Sequence, residues 1–233
     1  AQDGVFCLKV KLRGTDLEWD IDRTLAVHRI GREELGKLGE DRLYLSADTN
    51  EQCESPDYIV EYLRRIRDAS PQCFDDILYI EQPTERDLTA SRHDMRGIAE
   101  LKPVIIDESL VGLETFELCM ELGWSGIALK SCKSQSSSLV LASKAKQMGI
   151  PYMVQDLTNP SLALIHSVGL AARLHTMMGV EANSRQFFPA STRPGEKSVH
   201  DGIFTVRNGV ASTASLRGAG LGYQMDQIME IDG

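Results

Sequence analysis

From Phe6 onward the chain alternates between two kinds of segment. Short β-rich apolar runs ending in or near a polar residue are followed by stretches with helical spacing. The runs are Phe6–Leu12, Arg42–Asp48, Ile77–Glu81, Val104–Asp107, Gly126–Lys130, Tyr152–Asp156 and, more weakly, Val180–Asn183. Between them, Asp57–Asp68, Leu113–Leu122, Leu139–Met148 and Leu162–Met177 carry helix formers at helical spacing. Gly123, Gly149 and Gly179 stand where helix C-terminal glycines are expected.

Such alternation argues for parallel strands joined by crossover helices. An open doubly wound sheet and a closed (β/α) barrel both satisfy it. The polar residues at 11, 48, 81, 107, 130, 156 and 181 fall at or near the C-terminal end of each run. In a barrel those ends converge on one face, where active sites are built; in an open sheet they would spread along a line. Convergence of seven ionisable groups favours the barrel, a TIM-type α/β fold. Gly202–Ser215 lies outside this pattern, and its Asn208-Gly209 between apolar runs predicts a hairpin.

Composition removes several alternatives. At 233 residues, 42% apolar and 25% charged, the chain can bury a substantial core and is not disordered. A net charge of −9 with no basic block makes it a poor partner for nucleic acid or anionic lipid. No apolar run approaches the roughly 18 residues a membrane span needs. The five cysteines form no Cys-x-x-Cys pair and read as reduced thiols in a cytoplasmic setting. The chain opens on Ala1 and is strand-like within a few residues, so its beginning is expected to be missing.

Three carboxylates, Asp48, Glu81 and Asp107, end successive runs. Brought together they would repel and raise one another's pKa values. A divalent cation removes that penalty, and all-oxygen ligation suits Mg2+, with Mn2+ also possible. No His/Cys cluster offers a zinc site. Lys9 and Lys11 are two apart and share one face of their strand, and Lys130 ends the fifth run. A cation on a substrate carboxylate takes up charge when an α-proton leaves. A lysine beside another cation gives up its own proton more readily and can act as base.

With Lys9-Val-Lys11, Asp48-Thr-Asn50, Glu81-Gln-Pro83, Asp107-Glu-Ser109 and Ile127-Ala-Leu-Lys130 in this order, the sequence resembles the enolase superfamily. The resemblance is specifically to its muconate lactonizing enzyme-like branch. The resemblance implies a modified (β/α)7β barrel with Mg2+ held by Asp48, Glu81 and Asp107. It implies acid/base lysines at 11 and 130 and a substrate-carboxylate partner in Lys9. Glu108 would stand behind the ligands, and Asn50 beside them. A strand-end group such as Asp156 or Glu181 could contact substrate. The implied partner is a small carboxylate, and barrels of this type commonly self-associate into homo-oligomers. The implied chemistry is isomerisation (racemase, epimerase or cycloisomerase). A lyase of the acid-sugar dehydratase or o-succinylbenzoate synthase kind, a Schiff-base lyase using Lys130, and a non-catalytic metal-binding relic are the alternatives.

The chain also departs from the family pattern. As one barrel domain over 1–233 it leaves no room for the family's α+β capping domain, and the first barrel strand is expected to be absent. All five histidines fall in helices or late loops, which disfavours the branch that uses a His–Asp pair where this chain has Lys130 and Asp156. Glu181-Ala-Asn183 replaces the Asp-x-Asp of dipeptide epimerases. Elsewhere, Ser134–Ser138 is expected to cap a helix, and Gly218–Gly222 to be a loop. Trp19 and Trp124 read as packing residues. Arg64, Arg65 and Arg67 with Glu61 and Asp68 read as one solvated ion-paired helix face.

Overall fold

A computed structural model describes residues 3–218 and 221–233. Ala219 and Gly220, part of the glycine-rich 218–222 stretch, lie outside the described residues. The chain divides into two compact units, Phe6–Ile127 and Ala128–Gly233, the second including the described residues before Phe6.

The first unit runs β1 (Cys7–Lys11), α1 (Leu17–Gly36), β2 (Tyr44–Asp48), α2 (Pro56–Ala69), α3 (Pro71–Asp76), β3 (Ile77–Glu81), α4 (Arg96–Ala99), β4 (Val104–Ile106) and α5 (Leu113–Glu121) into β5 (Gly126–Leu129). Each strand pairs in parallel with the next in chain order, from β1 to β5. A doubly wound sheet would reverse its strand order at a switch point, and the first unit contains no reversal. Strands β2 to β5 are largely buried, as crossover helices require, with Leu45, Ile80, Ile105 and Ile106 fully buried, whereas β1 is mostly half-buried. Helix α2 shows why these segments are helical. Its Ile59, Tyr62, Leu63 and Ile66, at spacing i, i+3, i+4, i+7, are all fully buried. Each contributes about 1.5–3 kcal/mol of apolar burial. Arg65 bonds to Glu18 of α1 rather than to the acids of its own helix. The solvated face therefore also carries a helix–helix tie between α1 and α2.

The turn after β1 is fixed from α1. Asp20 is fully buried, and its carboxylate accepts from the amides of Arg13 (2.7 Å) and Gly14 (2.9 Å) and from the Tyr58 hydroxyl (2.6 Å). Gly14 has φ +73°, and a Cβ there would meet the Gln52 Cβ at 2.9 Å, so only glycine fits. Trp19 is half-buried under the Arg13 guanidinium, 4.1 Å from its centroid, while Trp124 is buried.

The second unit continues with α6 (Gln135–Met148), β6 (Tyr152–Gln155), α7 (Leu162–Ala171), β7 (Val180–Glu181), α8 (Ser184–Phe187), α9 (Pro194–Val199), α10 (Asp201–Phe204) and α11 (Met225–Asp232). Strand β6 pairs in parallel with β7. Its core gathers Leu164, Ile165, Val168, Ile203 and Leu216. Helix α6 begins earlier than its apolar spacing predicts because Ser134 caps it, accepting from the Ser137 amide, and Gly149 closes it at φ +70°. Helix α7 stops six residues short of the expected Met177. Past Ala171 the chain leaves the helix, and the Met177 amide is given to the Tyr152 carbonyl of β6 (3.0 Å). Gly179 is thus a turn residue before β7 rather than a helix terminus. Asn208 and Gly209 do form a tight turn with both φ positive, closed by the Arg207–Val210 bridge. The apolar run before it is helix α10, not a strand. All five cysteines are free thiols.

Candidate active site

The register of the first unit places its ionisable groups. Lys11 is level with Asp48, and Asp48 with Glu81. Glu81 is level with Ile105, so Asp107 lies two residues further along the same face. An irregularity between Leu45 and Ser46 is essential. Leu45 pairs with Ile77, but Ser46 pairs with Tyr79, so β3 carries one extra residue. Without that bulge Asp48 would face Ile80, and Glu81 would turn to the other side of the sheet.

Asp48, Glu81 and Asp107 are all buried. Lys9 Nζ stands between two of them, 3.0 Å from Asp48 Oδ2 and 2.8 Å from Glu81 Oε1. The Lys11 ammonium bonds to the same Asp48 oxygen and to Asn50 Oδ1 at 2.8 Å. Asn50 returns its amide to Asp48 Oδ1 (2.8 Å) and its Nδ2 to Asp48 Oδ2 and Glu108 Oε1 (both 3.3 Å). The structure therefore brings together Lys9, Lys11, Asp48, Asn50, Glu81 and Glu108, with Asp107 on the same face. Lys9 is largely buried, whereas the Lys11 side chain is 53% exposed.

Burial alone would push the Asp48 carboxyl up. The charges of Lys9 and Lys11, the Lys11 hydrogen bond and the Asn50 amide outweigh it and hold the group below the usual range. Glu108 goes the other way: burial and then the Asp107 charge raise it. A carboxyl depressed in the fold adds stability above its unfolded pKa of about 3.9 and loses it as pH falls through the folded value. Urea midpoints should therefore fall as pH drops below about 4, and fall less steeply for Asp48→Asn than for the parent.

The donor set suits a hard divalent cation: three buried carboxylates, no thiolate and no imidazole. The cage is closed around an ammonium, however. Among the described residues no three Asp, Glu, His or Cys side chains are gathered as a ready metal site, and Lys9 Nζ holds Asp48 and Glu81 itself.

In the second unit Lys130 follows β5 and is buried. Asp156 is buried, and both its oxygens are engaged. Oδ1 accepts from the Thr158 amide (2.8 Å), and Oδ2 from those of Asn183 (3.0 Å) and Ser184 (2.9 Å). Glu181 is half-buried and accepts from Gln155 Nε2 at 3.3 Å.

Gln82, within Glu81-Gln-Pro83, and Thr49, within Asp48-Thr-Asn50, carry no role of their own in the sequence pattern, and Asp20 carries no signal there. Gln82 is fully buried, with φ +34°. Its only signal was a long amide at a strand end just before proline.

Buried carboxylates on successive parallel strand ends, beside lysines of the adjoining strand, define an α/β protein of the TIM-barrel type. The chain belongs to the enolase C-terminal domain-like family, whose sequence model matches residues 1–229. Its fold is similar to a mandelate racemase/muconate lactonizing protein from Herpetosiphon aurantiacus, at 20% identity and TM-score 0.66 over 79% of this chain and 49% of that one. It is also similar to the muconate lactonizing enzyme from Pseudomonas putida, at 22% and 0.60 over 77% and 47%. The L-Ala-D/L-Glu epimerase from Bacillus subtilis matches at 22% and 0.61 over 79% and 48%. The chain thus spans about half the length of these structures. No curated protein matches it by sequence. Among the described residues no helix is long and apolar enough to cross a membrane.

Proposed function

We propose that the chain belongs to a Mg2+-dependent enzyme that removes the proton α to a substrate carboxylate, acting as an isomerase. The observation that carries this reading is the pair of lysines on one oxygen of Asp48, beside buried carboxylates on the neighbouring strands. Asp48, Glu81 and Asp107 would hold the cation, Mg2+ or Mn2+. A bound cation supplies Lewis-acid stabilisation of the charge that develops on the substrate carboxylate.

Lys11 in its base form takes the α-proton: the C–H bond breaks, an N–H bond forms, and the electron pair passes into an enediolate. Lys130 as ammonium returns a proton to the same carbon, and return to the opposite face inverts it. Lys9 offers its ammonium to the substrate carboxylate, and Asn50 and Glu181 complete the substrate contacts. Asp156 spends both oxygens on backbone amides, which suits holding the β6 and β7 loops in place. Loss of a β leaving group from the same enediolate would make the enzyme a lyase instead. The small-carboxylate partner, the homo-oligomer and the cytoplasmic setting belong to this same reading.

One observation favours a non-catalytic reading. Lys9 ion-pairs with both Asp48 and Glu81, so these carboxylates have a structural partner within the fold. Incubation with Mg2+ and a panel of α-substituted carboxylates in D2O, followed by proton NMR, separates the two. The enzyme reading expects loss of an α-proton signal that stops on chelation and resumes with Mg2+. No exchange across the panel while the cation is bound would favour the relic.

A further inference from the structure

We infer that Gln82 is a positioning residue that sets the spacing of the three acidic strand ends. The inference rests on the cation site proposed above. Gln82 follows Glu81 directly and is fully buried. Its side chain uses both donors and both acceptor positions. Oε1 accepts from the amides of Asp107 (3.0 Å) and Ser109 (3.3 Å). Nε2 donates to the Thr84 carbonyl (3.0 Å) and to Ser109 Oγ (2.8 Å). Two backbone amides can only donate, so the oxygen must face them and the orientation of the amide group is fixed.

The Gln82 backbone reaches the same neighbours. Its amide donates to the Ile105 carbonyl of β4 (3.0 Å). Its carbonyl accepts from the Glu51 amide (2.9 Å) and the Thr49 hydroxyl (3.4 Å), the residues just past β2. One residue thus ties the ends of β2, β3 and β4, which bear Asp48, Glu81 and Asp107. Asp107 lies beyond the last residue of a three-residue strand, so the ladder alone does not fix it. The bond from its amide to Gln82 does. Gln82 holds φ +34°, a region non-glycine residues seldom occupy and which persists only where the surroundings dictate it. A glutamine that merely filled space would not aim every polar atom at strand ends from a strained backbone.

Gln82→Leu keeps much of the volume and removes all four side-chain bonds. The test is Mn2+ affinity of the whole chain by EPR titration, beside thermal unfolding. Thr24→Val serves as control. It removes a buried hydroxyl in the same unit whose bonds go to Tyr62 and to the Asp20 carbonyl rather than to Asp48, Glu81 or Asp107. Partners that orient metal ligands typically cost about 10- to 100-fold in affinity when removed. Gln82→Leu is expected to lose that much, with Thr24→Val unchanged in affinity at a similar melting temperature. Equal Mn2+ affinity in parent and Gln82→Leu would overturn the inference, as would an equal loss in Thr24→Val. If Gln82→Leu does not fold, Ser109→Ala, which removes one of the four side-chain bonds, decides: weaker Mn2+ binding supports the inference, and unchanged affinity overturns it. A parent that binds no Mn2+ would instead refute the cation site itself.

Discussion

Replacing Lys11 with alanine is expected to slow exchange of the α-proton in the enantiomer that Lys11 faces by about 10²- to 10⁴-fold, the usual contribution of a positioned general base. Lys11 is suited to the role because its ammonium reaches the Asp48 oxygen while its side chain stays half open to water. It can therefore exchange protons with solvent between turnovers. Lys9, largely buried between Asp48 and Glu81, is poorly placed to do so. Lys11→Arg keeps the charge but cannot serve as a base near neutral pH. It should lose about as much as Lys11→Ala, which separates proton transfer from electrostatics. Both variants retain the three carboxylates and should bind Mn2+. Lys130→Ala should block exchange from one enantiomer of a substrate and spare the other. Exchange of both enantiomers at the parent rate in Lys11→Ala would remove Lys11 from the chemistry.

Asp20→Ala should cost about 3–5 kcal/mol of stability, the range for orphaning several buried partners at once. Its carboxylate is fully buried and satisfies two backbone amides and the Tyr58 hydroxyl. Burial first, and then the bond to Asp20 and its charge, push the Tyr58 hydroxyl well above the ordinary tyrosine value, so it remains a donor. Alanine leaves the three donors without an acceptor and opens a cavity. Asparagine keeps one acceptor oxygen and should lose less. The amides concerned begin two residues past Lys11, so the same carboxylate anchors the exit from β1 that carries the lysine. Urea denaturation measures the loss; a change below about 1 kcal/mol in Asp20→Ala would show that water or a shifted loop replaces the carboxylate.

The parallel strand ladder was legible because each strand is a compact apolar run with its polar residue at the end. Ile77–Glu81 was bounded correctly from its sequence. Shared faces within a strand, such as Lys9 with Lys11, follow from period two alone. What sequence could not supply is register between strands. The bulge that brings Glu81 level with Asp48 leaves no mark in composition, since Leu45-Ser46 and Leu78-Tyr79 read as ordinary strand residues. The helical spacing overextends α7 for a related reason. Residues past Ala171 keep helical spacing, but the Met177 amide is taken by a strand, a long-range partner no local pattern reveals. Gln82 and Asp20 were passed over because a buried polar residue declares itself only through the groups it bonds. The ion pairs of the Lys9 ammonium with Asp48 and Glu81 leave no mark in the sequence either, since strand period shows which face a lysine shares but not which groups it meets across the sheet.

That ammonium makes the decisive measurement direct. The protein crystallised with Mn2+ should show one strong anomalous peak among the oxygens of Asp48, Glu81 and Asp107, with Lys9 Nζ withdrawn from between the first two. A map with Lys9 still bridging Asp48 and Glu81, and Mn2+ absent or bound elsewhere, would contradict the account.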